Sequence, residues 1–470
     1  MSSDRPATSA PLFVRPIVLC MRTFGPSASA PQRLIIWYRI DYTLQLYQER
    51  GGLRRYLEVS SGVLDSPVKR HHKRTESTQC PCSSRIEGLQ HHSTKLSTAS
   101  EIFPCNRHLK IPDMAIPTHW QSTEDWHTAG EQFRIVSNVP IGHLTKGLTV
   151  AQQRLAILET PSHPLDVLRR TLCHEPRGHA DMYGGFITPP DDPSAHFGVL
   201  FWHKDGFSTA CGHGTIALGY WAVANGIVQR DASSSSASDT LDIVIDVPSG
   251  RVVARAAFDT AGAISHVDFI NVASRQISSG HKLSITSGLN QAPLEVTVDL
   301  SFGGAVYASI DATTLGLRVE PSNYHAFVDY GRKIKAEFPG YMYASKYDLY
   351  GVCFFETISQ TPTALTQRNV VIFADGQIDR SPCGSGTCAR LAILLAQGEV
   401  GVDRRLIHES ILGTEFEGFV VATDEAGKAD GDDGGFPACI PRVRGKANLV
   451  GRMEFFIDPS DPVYPGFVFR

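Results

Sequence analysis

From about Phe133 onward the chain breaks into short apolar runs separated by turn residues, the texture of strands rather than of a helical bundle. Phe133–Val136 and Gly198–Trp202 read as strands, the second leading through Lys204-Asp205-Gly206 toward a cysteine. Leu241–Val247 and Arg251–Phe258 flank Pro248-Ser249-Gly250 and read as a hairpin. Gly303-Gly304-Ala305-Val306-Tyr307-Ala308 reads as a strand with close backbone approach at its glycines. Leu349–Glu356 and Val370–Phe373 read as strands that feed a second cysteine. Ser322–Phe338 has helical spacing instead, through Tyr324, Phe327, Val328, Ile334 and Phe338. Val443–Ile457 and Pro459–Phe469 read as closing strands, and Ser233–Ser238 and Lys428–Gly435 as loops. Residues 1–113 show no sustained period of 2 or 3.6 and hold only 5 of the 41 glycines. The expectation there is a disordered or non-native extension, with Met114 as the working start.

Two cysteine segments, 172 residues apart, repeat one pattern: Cys211-Gly212-His213-Gly214-Thr215-Ile216-Ala217 and Cys383-Gly384-Ser385-Gly386-Thr387-Cys388-Ala389. The echo stays in register through Ala224 and Ala396 to Gly226 and Gly398. Each cysteine therefore opens a helix that ends at a glycine, the residue that enters the left-handed conformation without steric cost. Each half has many strands around one principal helix, which is not the alternation of a Rossmann fold. The glycines match neither Gly-x-Gly-x-x-Gly nor a P-loop, so nucleotide binding is unsupported.

Composition narrows the partners. The net charge is -4, split into 16 Lys+Arg against 9 Asp+Glu in residues 1–113 and 28 against 39 in the remainder. Neither nucleic acid nor an anionic membrane surface is indicated, and no apolar run approaches the length of a membrane-spanning helix. The ten cysteines are scattered, which points to reduced thiols and a cytoplasmic location rather than a disulfide framework. Cys80-Pro81-Cys82 with His91-His92 follows no established zinc spacing, so no metal is expected. Cys173, Cys353, Cys388 and Cys439 read as core residues.

Cys211 and Cys383 read differently. A thiol at a helix N-terminus faces unpaired backbone N–H groups and the positive end of the helix dipole, which favour thiolate and lower its pKa. Two such helix ends facing one cleft would bind a carboxylate and stabilise the charge left when its α-proton departs. Sulfurs on opposite faces of that carbon could then invert it with no cofactor.

These residues resemble a family. Asp379-Arg380-Ser381-Pro382-Cys383-Gly384-Ser385-Gly386-Thr387 is similar to the second signature of the proline racemase family, and Cys211-Gly212-His213-Gly214 to the first. Supporting likenesses run through Asp125–Glu131, Pro176-Arg177-Gly178-His179, Gly303-Gly304 and the tail from Gly451 to Phe467, covering residues 122–470. The resemblance implies an α/β (α+β) fold of the diaminopimelate epimerase kind. It would have two pseudo-symmetric lobes, residues 114–300 and 301–470, each a curved sheet around a central helix, with closing strands free to return to the first lobe. It implies Cys211 and Cys383 as paired acid/base groups, and Gly212, His213, Gly384 and Ser385 as the carboxylate cradle. It places the side chains of His213 and Asp379 on the ring nitrogen. Phe373 is a candidate apolar wall, with Tyr183 a second; Arg177 and His179 read equally well as structural groups. A homodimer acting without pyridoxal phosphate is also implied.

The family contains proline racemases, 4-hydroxyproline epimerases and trans-3-hydroxy-L-proline dehydratases. Inversion needs an acid/base on each face, whereas the family's dehydratases typically carry Thr at the second position. Cys383 therefore favours a racemase or epimerase of proline or hydroxyproline, with dehydration as the alternative. Ala210 where Met is common and Cys388 where Ser is common depart from the family pattern, and the run from Glu175 to Gly184 and the surroundings of the first motif are similar to the dehydratase branch. A non-catalytic redox or ligand-binding protein, with Cys211 and Cys383 forming a reversible disulfide, is the reading from another class.

Overall fold

The computed structural model describes residues 38–49, 52–63, 118–230, 239–286, 293–424 and 435–469. Met114, the Cys80/Cys82/His91/His92 group, the Ser233–Ser238 run and residues 428–434 lie outside them. Tyr38–Glu49 and Gly52–Val63 pair antiparallel, with Tyr38 opposite Val63 and Glu49 opposite Gly52. The sequence reading placed no element there, although Tyr38, Ile40, Tyr42, Leu44 and Leu46 alternate at the strand period of two.

From residue 118 the strands form one connected sheet that curls into two halves, a first and a second sheet, each wrapped around one helix. The helices are, in order, α1 (Val150–Glu159), α2 (Pro164–Cys173), α3 (Gly212–Ala224), α4 (Tyr324–Ala336) and α5 (Gly384–Ala396). In the first sheet His119–Thr128, Glu131–Val136, Tyr183–Thr188, Phe197–His203, Thr240–Val247, Gly250–Phe258 and Ile264–Ile270 are successive neighbours. In the second, Ser274–Ile285, Leu294–Phe302, Val306–Asp311, Leu349–Gln360, Ala364–Phe373, Arg405–Ser410 and Glu415–Asp424 follow in the same way. Ala438–Gly445 closes both, pairing with Ile264–Ile270, with Glu415–Asp424 and with Ser274-Arg275. Ala447–Ile457 then runs back along His119–Thr128. By pairing, the chain passes from the first sheet to the second between Ile270 and Ser274.

Helix α3 packs inside the first sheet and α5 inside the second. Both are largely apolar, as surrounded helices must be, and every residue of Gly212–Gly219 and Gly384–Leu394 is buried, Arg390 among them with its guanidinium donating to Gln367 at 2.9 Å. The strands carry a second buried face. Phe197, Val199 and Phe201 point toward α3, while Leu200 and Trp202 face α1 and α2 on the outside. Cys353, Val371 and Phe373 point inward likewise, and Val352, Phe354, Val370 and Ile372 face α4. Strands buried on both faces read as continuous apolar runs, which hides their period.

The expected helix at Ser322–Phe338 is α4 preceded by the short turn Pro321–Asn323. Helices α1 and α2 were not foreseen, though the capping box of Thr149 with Gln152 and Pro164 at the first turn of α2 are start signals. The closing strand expected at Pro459–Phe469 is not one. Pro459, Pro462 and Pro465 remove ladder donors there, and a single bridge joins Phe467 to Glu175.

Candidate active site

The two cysteines cap their helices in the same way. Cys211 Sγ accepts from the Gly214 N–H at 3.2 Å, and Cys383 Sγ from the Gly386 N–H at 3.3 Å. Thr215 and Thr387 hydroxyls donate back to the Cys211 and Cys383 carbonyls at 2.8 and 2.7 Å. The repeated Cys-x-x-Gly-Thr is therefore a cap with two reciprocal hydrogen bonds. Thr387 also meets His408 Nδ1 at 2.8 Å in the core. Thr387→Val is expected to lower stability by about 1–2 kcal/mol, read as a shift in a denaturation midpoint, because it leaves buried groups without partners.

Glycine brings the helix ends together. A Cβ on Gly212 would lie 2.5 Å from Gly384 Cα, and one on Gly384 would lie 2.6 Å from Gly212 Cα. The two backbones thus touch where the motifs meet. Cβ atoms on Gly214 and Gly386 would lie 2.8 and 2.9 Å from the sulfurs of Cys211 and Cys383. Each motif glycine leaves room either for the other helix or for its own thiol.

The cleft formed there is lined by Cys211, Gly212, His213, Asp379, Cys383, Gly384, Ser385 and Phe373. All eight residues singled out by the sequence are thus in one place. The same wall includes Ala210, Tyr183, Tyr307 and Tyr350. Both helix N-termini open here, so their unpaired N–H groups face a common space. One oxygen of Asp379 accepts from the Ser381 N–H and hydroxyl, both at 2.8 Å, and Ser381 Oγ accepts from the Cys383 N–H at 3.1 Å. This brace holds Cys383 at φ 60, a left-handed conformation that costs a non-glycine residue about 1–3 kcal/mol.

Electrostatics correct one expectation. Burial pushes both thiols well up, and the charge of Asp379 adds to it; the N–H groups of Gly214 and Gly386 pull the other way without prevailing. Burial thus holds both sulfurs toward the thiol, against the shift toward thiolate expected from helix ends alone, because desolvation disfavours the charged form. His213 lies against Cys211, with ring nitrogens 3.5 and 3.7 Å from Sγ, and burial lowers its pKa. Tyr307 OH lies 3.7 Å from Cys383 Sγ and 2.7 Å from Ser385 Oγ, within hydrogen-bond reach of both.

Arg177 ion-pairs with Asp461 at 3.2 Å and donates to the Phe456 carbonyl, fastening the tail, and His179 accepts from the Asp181 N–H. Arg380 meets Asp181 at 2.9 Å, and its N–H donates to Glu131 at 2.8 Å, tying the Asp379 segment to the first sheet. Burial and the charge of Asp379 raise the Glu131 carboxyl. The sequence reading missed Tyr307 and Tyr350. Tyr307 was visible only as a strand residue after Gly303-Gly304, and nothing local marks Tyr350. Among the described residues no group of three or more His, Cys, Asp or Glu is placed to hold a metal, and no helix is long and apolar enough to cross a membrane.

A family model described as proline racemase matches residues 124–468. The chain is 38% identical over 352 residues to a trans-3-hydroxy-L-proline dehydratase of Colwellia psychrerythraea, covering 73% of this chain and 91% of that one. It is 35% identical over 353 residues to a proline racemase of Acetoanaerobium sticklandii, covering 73% and 96%. Its fold is similar to the crystal structure of a hydroxyproline epimerase from Agrobacterium vitis with bound trans-4-hydroxy-L-proline. That likeness has a TM-score of 0.63 at 24% identity, covering 74% of this chain and 95% of the other.

Proposed function

The chain belongs to the proline racemase family, and from that premise we propose a cofactor-independent racemase or epimerase acting on the α-carbon of proline or a hydroxyproline. The observation that carries this reading is the presence of two cysteine-capped helix ends on one cleft. The substrate carboxylate would sit on the N–H groups of Gly212, His213, Gly384 and Ser385, and the ring ammonium beside Asp379. One sulfur, as thiolate, takes the Cα proton while the electron pair passes into the carboxylate. The other sulfur, as thiol, returns a proton to the opposite face. The two then differ only in which one is ionised. His213 beside Cys211 and Tyr307 beside Cys383 give each sulfur its own polar neighbour.

The substrate itself supplies the charge that makes a thiolate attainable. A bound ammonium offsets the Asp379 charge that, after burial, raises both thiols. A thiolate is needed, so activity rises with pH through that group's pKa and falls once the second thiol also ionises. The rising limb of kcat is therefore expected at lower pH than that of kcat/KM, since the first reports the bound complex and the second the free enzyme. Initial rates over the neutral and alkaline range check this; coincident limbs would speak against Asp379 as the ammonium site.

Dehydration is the second reading, favoured by the dehydratase name of the 38% identical relative. It needs one base and departure of a 3-hydroxyl. Incubation with L-proline, trans-4-hydroxy-L-proline and trans-3-hydroxy-L-proline, with chiral analysis and detection of pyrroline, separates the two. Inverted proline or 4-hydroxyproline supports the proposal; pyrroline from the 3-hydroxy compound alone replaces it.

A further inference from the structure

One wall of the cleft is phenolic, and its hydroxyls are linked by hydrogen bonds. Ser208 Oγ lies 3.5 Å from the Ala210 carbonyl and in short contact with the Tyr183 hydroxyl, which meets the Tyr350 hydroxyl at 3.2 Å. A hydroxyl donates once and accepts twice, so the Tyr350 oxygen keeps at least one lone pair whichever way that contact runs. It belongs to a half-buried residue that lines the cleft. Its ring is well fixed. It stacks on Phe373 with centroids 5.6 Å and planes 20° apart, and meets Tyr307 edge-on at 5.7 Å. Burial pushes all three phenols up, so they stay protonated through the neutral range. A hydroxyl beside the apolar face of Phe373 suits a saturated ring that carries a hydroxyl of its own. The proposed carboxylate and ammonium contacts use backbone N–H groups and Asp379, so this hydroxyl is not spent on either.

We propose that Tyr350 is a specificity-determining residue, its hydroxyl oxygen accepting the O–H of a ring hydroxyl, so that the site takes a hydroxyproline in preference to proline. The inference rests on the function proposed above and selects among its substrates. A hydroxylated ring supplies a hydrogen-bond partner there, whereas proline covers the hydroxyl and offers none. Sites built to bond a hydroxyl discriminate in this way.

The test compares the full chain with its Tyr350→Phe variant. Binding is read as the ligand concentration that halves iodoacetamide alkylation of Cys211 and Cys383, followed by mass spectrometry of their peptides. The ligands are L-proline, trans-4-hydroxy-L-proline and trans-3-hydroxy-L-proline, and the two hydroxyprolines show which ring carbon bears the hydroxyl. Wild type is expected to need about tenfold less of one hydroxyproline than of proline. Tyr350→Phe is expected to erase that difference, the hydroxyproline losing its advantage over proline. The proposal is overturned if wild type binds proline as tightly as both hydroxyprolines, or if the variant keeps the preference or weakens all three ligands alike. Protection by none of them overturns it together with the function. Absence of Cα-proton exchange, despite selective protection lost in Tyr350→Phe, removes the catalytic reading and leaves the binding preference standing.

Discussion

Cys383→Ala is expected to lower inversion by about three to four orders of magnitude, the upper range for loss of a positioned acid–base group. Cys211→Ala should do the same. The thiols cap equivalent helix ends and line one cleft, and in the proposed mechanism each serves its own face of the α-carbon, so neither replaces the other. The two variants should differ in what they retain. Each keeps one base, and so keeps slow Cα-proton exchange for one enantiomer without forming the other. Cys211→Ala and Cys383→Ala are therefore expected to exchange opposite enantiomers in heavy water, followed by NMR of the α-proton. Dehydration would be asymmetric in another sense. It needs one base, so one cysteine would be indispensable and the other largely dispensable.

Gly384→Ala should abolish activity nearly as completely through geometry alone. The added methyl would lie 2.6 Å from Gly212 Cα, against backbone that cannot rotate away. The helix ends must separate, and an approximately 1 Å displacement of reacting groups costs about a hundredfold in rate. Overpacking of this kind also costs about 1–3 kcal/mol. A reduced melting temperature with retained circular dichroism, together with at least that loss of kcat/KM, is the expected result. Gly401→Ala is the control, since a Cβ there meets nothing within 4 Å. An active Gly384→Ala variant would mean that close contact of the two helix ends is not required.

The site was legible because its residues are local in sequence twice over. The spacing Cys-Gly-x-Gly-Thr encodes a cap, a place for the sulfur and a place for the facing helix, and all three are visible within five residues of each cysteine. Asp379 was found because it precedes the second motif. Tyr307 and Tyr350 were not, because they enter from separate strands of the second sheet and only pairing brings them to the cleft. The ionisation of the thiols was misjudged for a related reason. A helix end acts on its own cysteine locally, whereas desolvation comes from every element around the cleft. The covering helices α1 and α2 were hidden by strands such as Phe197–His203, whose continuous burial leaves no polar face to betray an outer layer. Strand Ala438–Gly445 serves both sheets, a role that follows from pairing and not from composition.

The central claim is that two sulfurs act on opposite faces of one carbon. Its most direct test is isotopic. The wild-type protein is incubated in heavy water with a single enantiomer of each substrate, and substrate and product are separated on a chiral phase at low conversion. Two opposed bases predict inverted product carrying one deuterium at Cα, delivered from the thiol on the far side, while recovered substrate remains protiated. Deuterium entering recovered substrate as fast as product appears, or pyrroline with no inverted amino acid, would contradict it.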